Sequence, residues 1–262
     1  MIPAVNAGWE GPEQVSDFRR QAWQAYKQLP MPKTSDEAWR RTDLRGLKAG
    51  VLSIASDLSQ KKLSAAPKGL LRPLVDRLHG GQIVIQPRKT TQYLDPLLAE
   101  KGVIFTDLNQ AELRHADKLA KIMGQVVKPE EGKFAAMAAA FAGYGVFIYV
   151  PAGVQVEAPL HSVLWGPGEN LAYLSHIMVW LEEGASLTYV HEAASPTLPG
   201  AQTLHAGNVE LHIGEGAHLK FVELQSWGKH VWNFSHERAR VARDGTLDWI
   251  FGALGSHLTK NF

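Results

Sequence analysis

Four glycines, Gly153, Gly184, Gly216 and Gly245, recur at nearly even intervals, and each opens a strand-like run. Around them the chain repeats itself: EEGASLTYV (residues 182–190) aligns with GEGAHLKFV (214–222), and RDGTLDWIF (243–251) follows with a one-residue slip. A period of roughly 30 residues leaves few folds open, because a unit of that length must bury its apolar face against its own copies. Strand-like runs cover residues 146–150, 160–165, 171–181, 186–191, 203–213, 218–226, 231–241 and 245–254. Apolar residues alternate within them, as in Val209, Leu211 and Ile213, the period of two that a pleated strand requires. Nothing between these runs is long and periodic enough to be a crossover helix, which excludes a doubly wound α/β layout for this half. The pattern predicts a parallel β-helix with coils about 4.8 Å apart. Leu187 would then stack over Leu219, and Tyr189 over Phe221. A sandwich of irregular hairpins is the competing arrangement, but Asp244-Gly245 is its single two-residue hairpin signal.

Positions 1–130 have a different grammar. Val15, Phe18, Ala22, Tyr26 and Leu29 recur at spacings of three and four, which predicts a helix over 12–29 that Pro30 and Pro32 stop. Thr34 or Ser35 is placed to cap a second short helix, with Asp36 and Glu37 in its first turn. Residues 82–86 and 103–105 read as short strands. Asn109 with Glu112 resembles a capping box opening a helix through Leu113, Ala116, Leu119 and Ile122, which Gly124 ends. The division is therefore a mixed α/β N-terminal domain over 1–130 and the β-helix over 131–262. Residues 134–156 carry no charge and are long enough to cross a bilayer. Gly143, Gly145, Pro151 and Gly153 break that stretch, so it reads as a short buried helix, a glycine turn and a buried strand. The N-terminal MIPAVNAGWEGPEQ lacks the basic and apolar regions of a secretory signal, which makes a cytoplasmic protein the expectation, without a membrane partner.

The chain contains no Cys, which excludes disulfides, thiolate nucleophiles, zinc fingers and any iron–sulfur cluster held by its own thiolates. A net charge of +1 and a pI near 8.0 lack the basic footprint of a general nucleic-acid binder. Nine of the eleven histidines fall between His161 and His257. His176, His205 and His236 recur at close to the glycine period and are the candidate metal ligands, since neutral imidazoles in a column bind iron or zinc. Aligning the glycines leaves His205 three positions out of phase, with Asn208 nearer the slot. Solvent-facing strand histidines are therefore the expectation, with no metal site assigned. Ser175-His176, Ser235-His236 and Ser256-His257 invite comparison with hydrolases, but adjacent strand residues point to opposite faces. Walker A, G-x-G-x-x-G, G-x-S-x-G and H-E-x-x-H motifs are all absent, so no catalytic or cofactor-binding residue is assigned. Trp39 with Arg40 and Arg41 reads as a structural corner, and Lys61-Lys62 as a solvated loop.

Several segments resemble the SufB/SufD family of iron–sulfur cluster assembly scaffolds, on the SufD side. They are SDEAWRRTDLRGL (residues 35–47), KFAAMAAAFAGYGVFIYVPAGVQVEAPLH (133–161), HIMVWLEEGASLTYVHE (176–192) and NVELHIGEGAHLKFVELQ (208–225). The resemblance implies a mixed N-terminal region followed by a right-handed, single-stranded parallel β-helix. It also implies a complex with a SufB-like scaffold and a SufC-type ABC ATPase. An iron–sulfur cluster would be held there only transiently, with no cofactor bound by this chain alone. Family members run well past Phe262, so the resemblance leaves the later coils, the subunit-pairing edge and the C-terminal helical region outside this sequence. The implied role is a non-catalytic scaffold subunit. Two other classes compete: a β-helix carbohydrate-active enzyme, and a self-associating β-helix that forms a homodimer through an uncovered edge after Leu254. The enzyme needs clustered carboxylates, and Asp248 is the one clear strand Asp in the β-helical half.

Overall fold

A computed structural model describes residues 11–54, 63–72, 78–87 and 89–262; Lys61 and Lys62 lie outside them. The chain begins with helix α1 (Glu13–Gln28), close to the predicted span, and Val15, Ala22 and Tyr26 are on its buried face. The short helix expected after Thr34 is a single 3-10 turn, Glu37–Trp39. Asp36 precedes it and turns its carboxylate back to accept from the Lys33 N–H at 2.8 Å, so the local side chain closes a turn instead of opening a helix. Strands β1 (Ser53–Ile54), β2 (Gly81–Gln86) and β3 (Lys89–Leu94) follow, then helix α2 (Pro96–Glu100) and strand β4 (Ile104–Asp107). The next helix is capped by Asp107, not Asn109: the Asp107 carboxylate accepts from the Gln110 N–H at 3.1 Å. His115 then leaves helical geometry and divides the segment into α3 (Leu108–Arg114) and α4 (Ala116–Ile122).

Helix α5 (Lys133–Phe141) and strand β5 (Tyr144–Val150) divide the uncharged stretch at Ala142-Gly143, as its composition predicts. Among the described residues no helix is long and apolar enough to cross a membrane. The strands continue as β6 (Gln155–Trp165), β7 (Leu171–Leu181), β8 (Ser186–Ala194), β9 (Thr203–Ile213), β10 (His218–Ser226), β11 (Val231–Val241), β12 (Thr246–Gly255) and β13 (Leu258–Asn261). Four of them, β7, β9, β10 and β11, have the bounds read from the sequence.

These strands wind into a mainly β structure, a solenoid of about four turns, in which each coil gives one strand to each of two sheets. One sheet runs β13-β11-β9-β7-β5-β4 and the other β12-β10-β8-β6-β2-β3. Neighbours from β5 onward pair in parallel, while β3 on β2 and β4 on β5 pair antiparallel at the N-terminal end. The register explains the uneven repeat. Leu171 pairs Thr203, and Thr203 in turn pairs Val231, so the first of these two coils is the longer. Its extra residues lie in the connection 195–202, twice the length of the connection 227–230. At the tight turn, Gly184 and Gly216 adopt φ of +65° and +61°, and Asp244 takes the same left-handed conformation at +57°. Gly245 therefore occupies the rung of Ala185 and Ala217, which is the one-residue slip seen in the sequence.

Inside the solenoid the stacking residues match the prediction. Leu187 pairs Leu219, which in turn pairs Leu247, and Tyr189, Phe221 and Trp249 align in the same way. The Tyr189 and Phe221 rings stack at 5.3 Å and 15°, with Trp249 tilted 5.4 Å beyond. The outer face of the β7-β9-β11 sheet is covered too. Ala172, Leu174, Leu204, Ala206, Trp232 and Phe234 pack against Tyr26, Phe134 and Met137 of α1 and α5. The alanines of α5 let its backbone approach closely, and Asn208 donates to the Ala135 carbonyl at 3.2 Å. Trp39 closes this layer beside Phe134, Phe234 and Phe262. Phe221→Ala removes the middle of the aromatic column and is expected to cost about 3–5 kcal/mol. Urea unfolding of the two proteins checks this, since a loss under about 1 kcal/mol would show that the column does not carry the coil stack.

Candidate functional site

The solenoid interior is apolar on one side and polar on the other. Near the Gly184 turn the inward residues are Val179, Leu181, Leu187 and Tyr189, with Leu211, Ile213, Leu219 and Phe221 one coil on. Toward the connection 195–202 the inward positions become His191, Glu223 and Gln225 on one sheet, and Ser175, His205 and Asn233 on the other. The columns follow from the register: His191 pairs Glu223, and His205 pairs Asn233. A polar residue at such a position has to find its partners within the coil stack, because water is excluded.

The polar side chains form a directed string. Asn233 Oδ1 lies 2.6 Å from His205 Nδ1, which places the imidazole proton there and leaves Nε2 to accept from Ser175 Oγ at 2.9 Å. Asn233 Nδ2 donates to Gln225 Oε1 at 2.6 Å, and Gln225 Nε2 donates to Glu223 Oε1 at 2.8 Å. Both amide donors point along the string toward Glu223. Gly207 makes room for it, since a Cβ there would come within 2.9 Å of both Ser175 Oγ and His205 Cε1. On the other sheet, Ser162 Oγ bonds to His191 Nδ1 at 2.8 Å and to the Tyr189 hydroxyl at 2.6 Å.

Burial sets the charge of this interior. It pushes His191 down to about 3 and His205 down to about 4, so both imidazoles are neutral at pH 7. Burial also pushes Glu223 up to about 7 and Glu237 up to about 8, with the nearby Glu223 carboxyl adding to the rise at Glu237. Glu223 Oε2, Glu237 Oε1 and the Trp227 indole nitrogen are buried without a hydrogen bond of ordinary geometry among the described residues. Ser175, His205 and Asn233 have the order of a nucleophile, a base and an orienting amide. Ser175 is only 5% exposed, however, so its hydroxyl faces packed protein and not a substrate. The arrangement carries hydrogen bonding along the interior to Glu223, where burial raises the carboxyl and the Gln225 hydrogen bond works against that rise.

The candidate histidines, expected to face solvent, are buried, whereas His218 and His257 are exposed. His161, His176, His205 and His236 are between 0 and 5% exposed. Strand alternation identifies the face that points away from the solenoid core, but helices and loops cover that face as well. Of the candidate metal ligands, His176 and His236 share an outward column with Asn208 between them, whereas His205 points inward. His236 stacks on Phe262 at 4.5 Å, and burial lowers it to about 4. Among the described residues no group of three or more His, Asp or Glu is gathered as metal ligands.

His176 instead serves a buried latch. Glu210, on the next coil, accepts from His176 Nε2 at 2.8 Å and from the N–H groups of Gly124, Val126 and Val127 at 2.7, 2.8 and 3.2 Å. Burial alone would raise this carboxyl. The His176 hydrogen bond and charge, with the Val126 and Gly124 amides, outweigh burial and hold it below the usual carboxylate range. His161 is held similarly, between Glu192 at 2.7 Å and Gln82 at 3.1 Å. The Ser-His contacts that do form, Ser162 with His191 and Ser175 with His205, join residues one coil apart and not chain neighbours. The repeat period itself is the signal that finds them.

The two raised carboxyls make stability depend on pH. A Glu carboxyl ordinarily titrates near 4.5, so between that value and about 7 to 8 the unfolded chain loses protons that the fold retains. Stability therefore falls as pH rises through this window. The Glu223→Gln, Glu237→Gln double variant is expected to be at least about 1 kcal/mol more stable than the parent at pH 8 and to lose that slope. Urea unfolding at pH 6 and pH 8 checks it, and identical pH slopes would contradict it. Glu210→Ala leaves the latch donors unpaired and is expected to cost about 3–5 kcal/mol. Hydrogen exchange should show the Gly124, Val126 and Val127 amides losing protection first.

The SufBD protein N-terminal region matches residues 10–161, and the SufBD core domain of the SUF system for FeS cluster assembly matches residues 164–262. An iron-sulfur cluster assembly SufBD family protein of Staphylococcus haemolyticus is 28% identical over 265 residues, covering 97% of this chain and 56% of that protein. One from Staphylococcus epidermidis is 27% identical over 271 residues, covering 100% and 57% respectively. One from Staphylococcus aureus is 27% identical over 263 residues, covering 96% and 55%. The chain thus spans a little over half the length of these curated relatives.

Proposed function

This chain belongs to the SufBD family of iron–sulfur cluster assembly proteins, and on that premise we propose that it is a SufD-like scaffold subunit, working in the cytoplasm with a SufB-like scaffold and a SufC-type ABC ATPase. The observation that carries this reading is the absence of cysteine from all 262 residues. A nascent cluster needs thiolate ligands, so in this reading the partner scaffold supplies them and the cluster is cargo of the complex. The ATPase supplies nucleotide hydrolysis, for which this chain has no phosphate-binding loop motif. Its own contribution is shape: a stiff stack of parallel coils whose surface orients the other two subunits. No enzymatic step is assigned to it.

Strand β12 exposes Ile250, Phe251 and Leu254, at 47, 41 and 72%. In this reading a subunit of the assembly, or a second copy of the chain in a homodimer, packs against β12. Co-expression with the SufB-like and SufC-type proteins of the same organism tests the proposal. Both partners are expected to be retained on the tagged chain through size-exclusion chromatography. Retention of neither, with the chain itself folded by circular dichroism, would overturn it.

A further inference from the structure

Outside the solenoid, α1, α5 and the residues that follow α1 line a partly open cavity of about 450 Å³ beside β9. Leu29, Pro30, Leu47, Phe134, Met137 and Leu204 supply most of its wall. Its charged lining residues are Lys27 and Lys133, and among the described residues no acidic side chain lines it. Lys133 is only 9% exposed. Its ammonium donates to the carbonyls of Tyr26 and Leu29, at 2.5 and 2.7 Å, and lies 4.2 Å from the Tyr26 ring centroid. Among the described residues no carboxylate comes within 4.0 Å of it. The two carbonyls explain how the ammonium caps the end of α1. They do not neutralise it, and beyond them the ammonium has only the Tyr26 ring beside it among the described residues.

We propose that this cavity binds a small amphipathic carboxylate, a medium-chain fatty acid, with its head on Lys133 and its tail among Phe134, Met137 and Leu204. Three properties select that class. The volume falls within the roughly 300–1,000 Å³ of small-molecule sites. The wall is apolar, so the bulk of the ligand must be hydrocarbon. The charged groups are cationic, so the head must be an anion, and an ammonium without a carboxylate gains a charge-assisted hydrogen bond from it. Met31, which also lines the cavity, is 45% exposed. This site is independent of the solenoid interior and of the scaffold reading.

The test is titration of the intact chain with decanoate, decanol and butyrate below micelle concentrations, read by calorimetry and by the chemical shift of carboxyl-13C decanoate. Decanoate is expected to bind saturably at one site, about tenfold or more tighter than decanol, the difference a hydrogen bond to a charged group makes. Butyrate, lacking the tail, is expected to bind more weakly still. Lys133→Met is expected to remove the preference for decanoate while leaving decanol unchanged. Met31→Glu, a change at an exposed position that spares the fold, is expected to weaken decanoate alone by placing a like charge in the lining. Leu204→Trp fills the cavity and is expected to abolish both. Equal affinity for decanoate and decanol, or no saturable decanoate binding in the parent chain, would overturn the proposal.

Discussion

In-register stacking of successive coils is the constraint from which the rest of this structure follows. Each parallel rung places a residue directly over its counterpart a full coil away, so every inward choice is repeated along the solenoid axis. Leucine over leucine and ring over ring give an interior that excludes water on one side. The same rule acts on the polar side. Once His191, His205, Glu223 and Asn233 are inward, their partners must come from within the coil stack. Ser175, Gly207 and Gln225 meet that need, the glycine by lacking a side chain. A single out-of-register step would send these groups to the opposite face and strand their hydrogen bonds.

The stack also positions the outer layer. Glu210 projects away from the solenoid core and gathers three backbone N–H groups of the segment after α4, with His176 from the adjacent coil. One carboxylate thus ties the loop to the coils, beside the packing of Met123 and Val127. Helices α1 and α5 lie over the same sheet through Phe134, Phe234 and Trp232. A protein built this way offers a scaffold in the mechanical sense: the coils set spacing, and the buried latch transmits it to the layer outside. That suits a role in which partners are held in relation to one another.

Much of this architecture is legible in the repeat. Residues 171–181, 203–213, 218–226 and 231–241 are delimited by sequence because strand alternation and turn residues agree there. The Tyr189–Phe221 stack follows from alignment alone. The cap of the helix after Asp107 is not legible, because two capping residues compete within three positions and only the backbone shows which side chain reaches the free N–H groups. Histidine exposure is hidden for a more general reason. Alternation separates two faces of a strand but cannot tell that a remote helix covers the second one. The polar string escapes a sequence scan because the scan compares neighbours, whereas a solenoid makes neighbours of residues a full coil apart.

Cluster assembly itself tests the central claim most directly. The SufB-like and SufC-type proteins would be incubated anaerobically with iron, a persulfide donor, a reductant and ATP, with and without this chain, and cluster formation followed by its visible charge-transfer absorbance. The account predicts faster or more complete assembly when the chain is present, with the cluster recovered on the cysteine-bearing partner. Assembly indifferent to the chain, or a stable cluster recovered on the chain by itself, would contradict it.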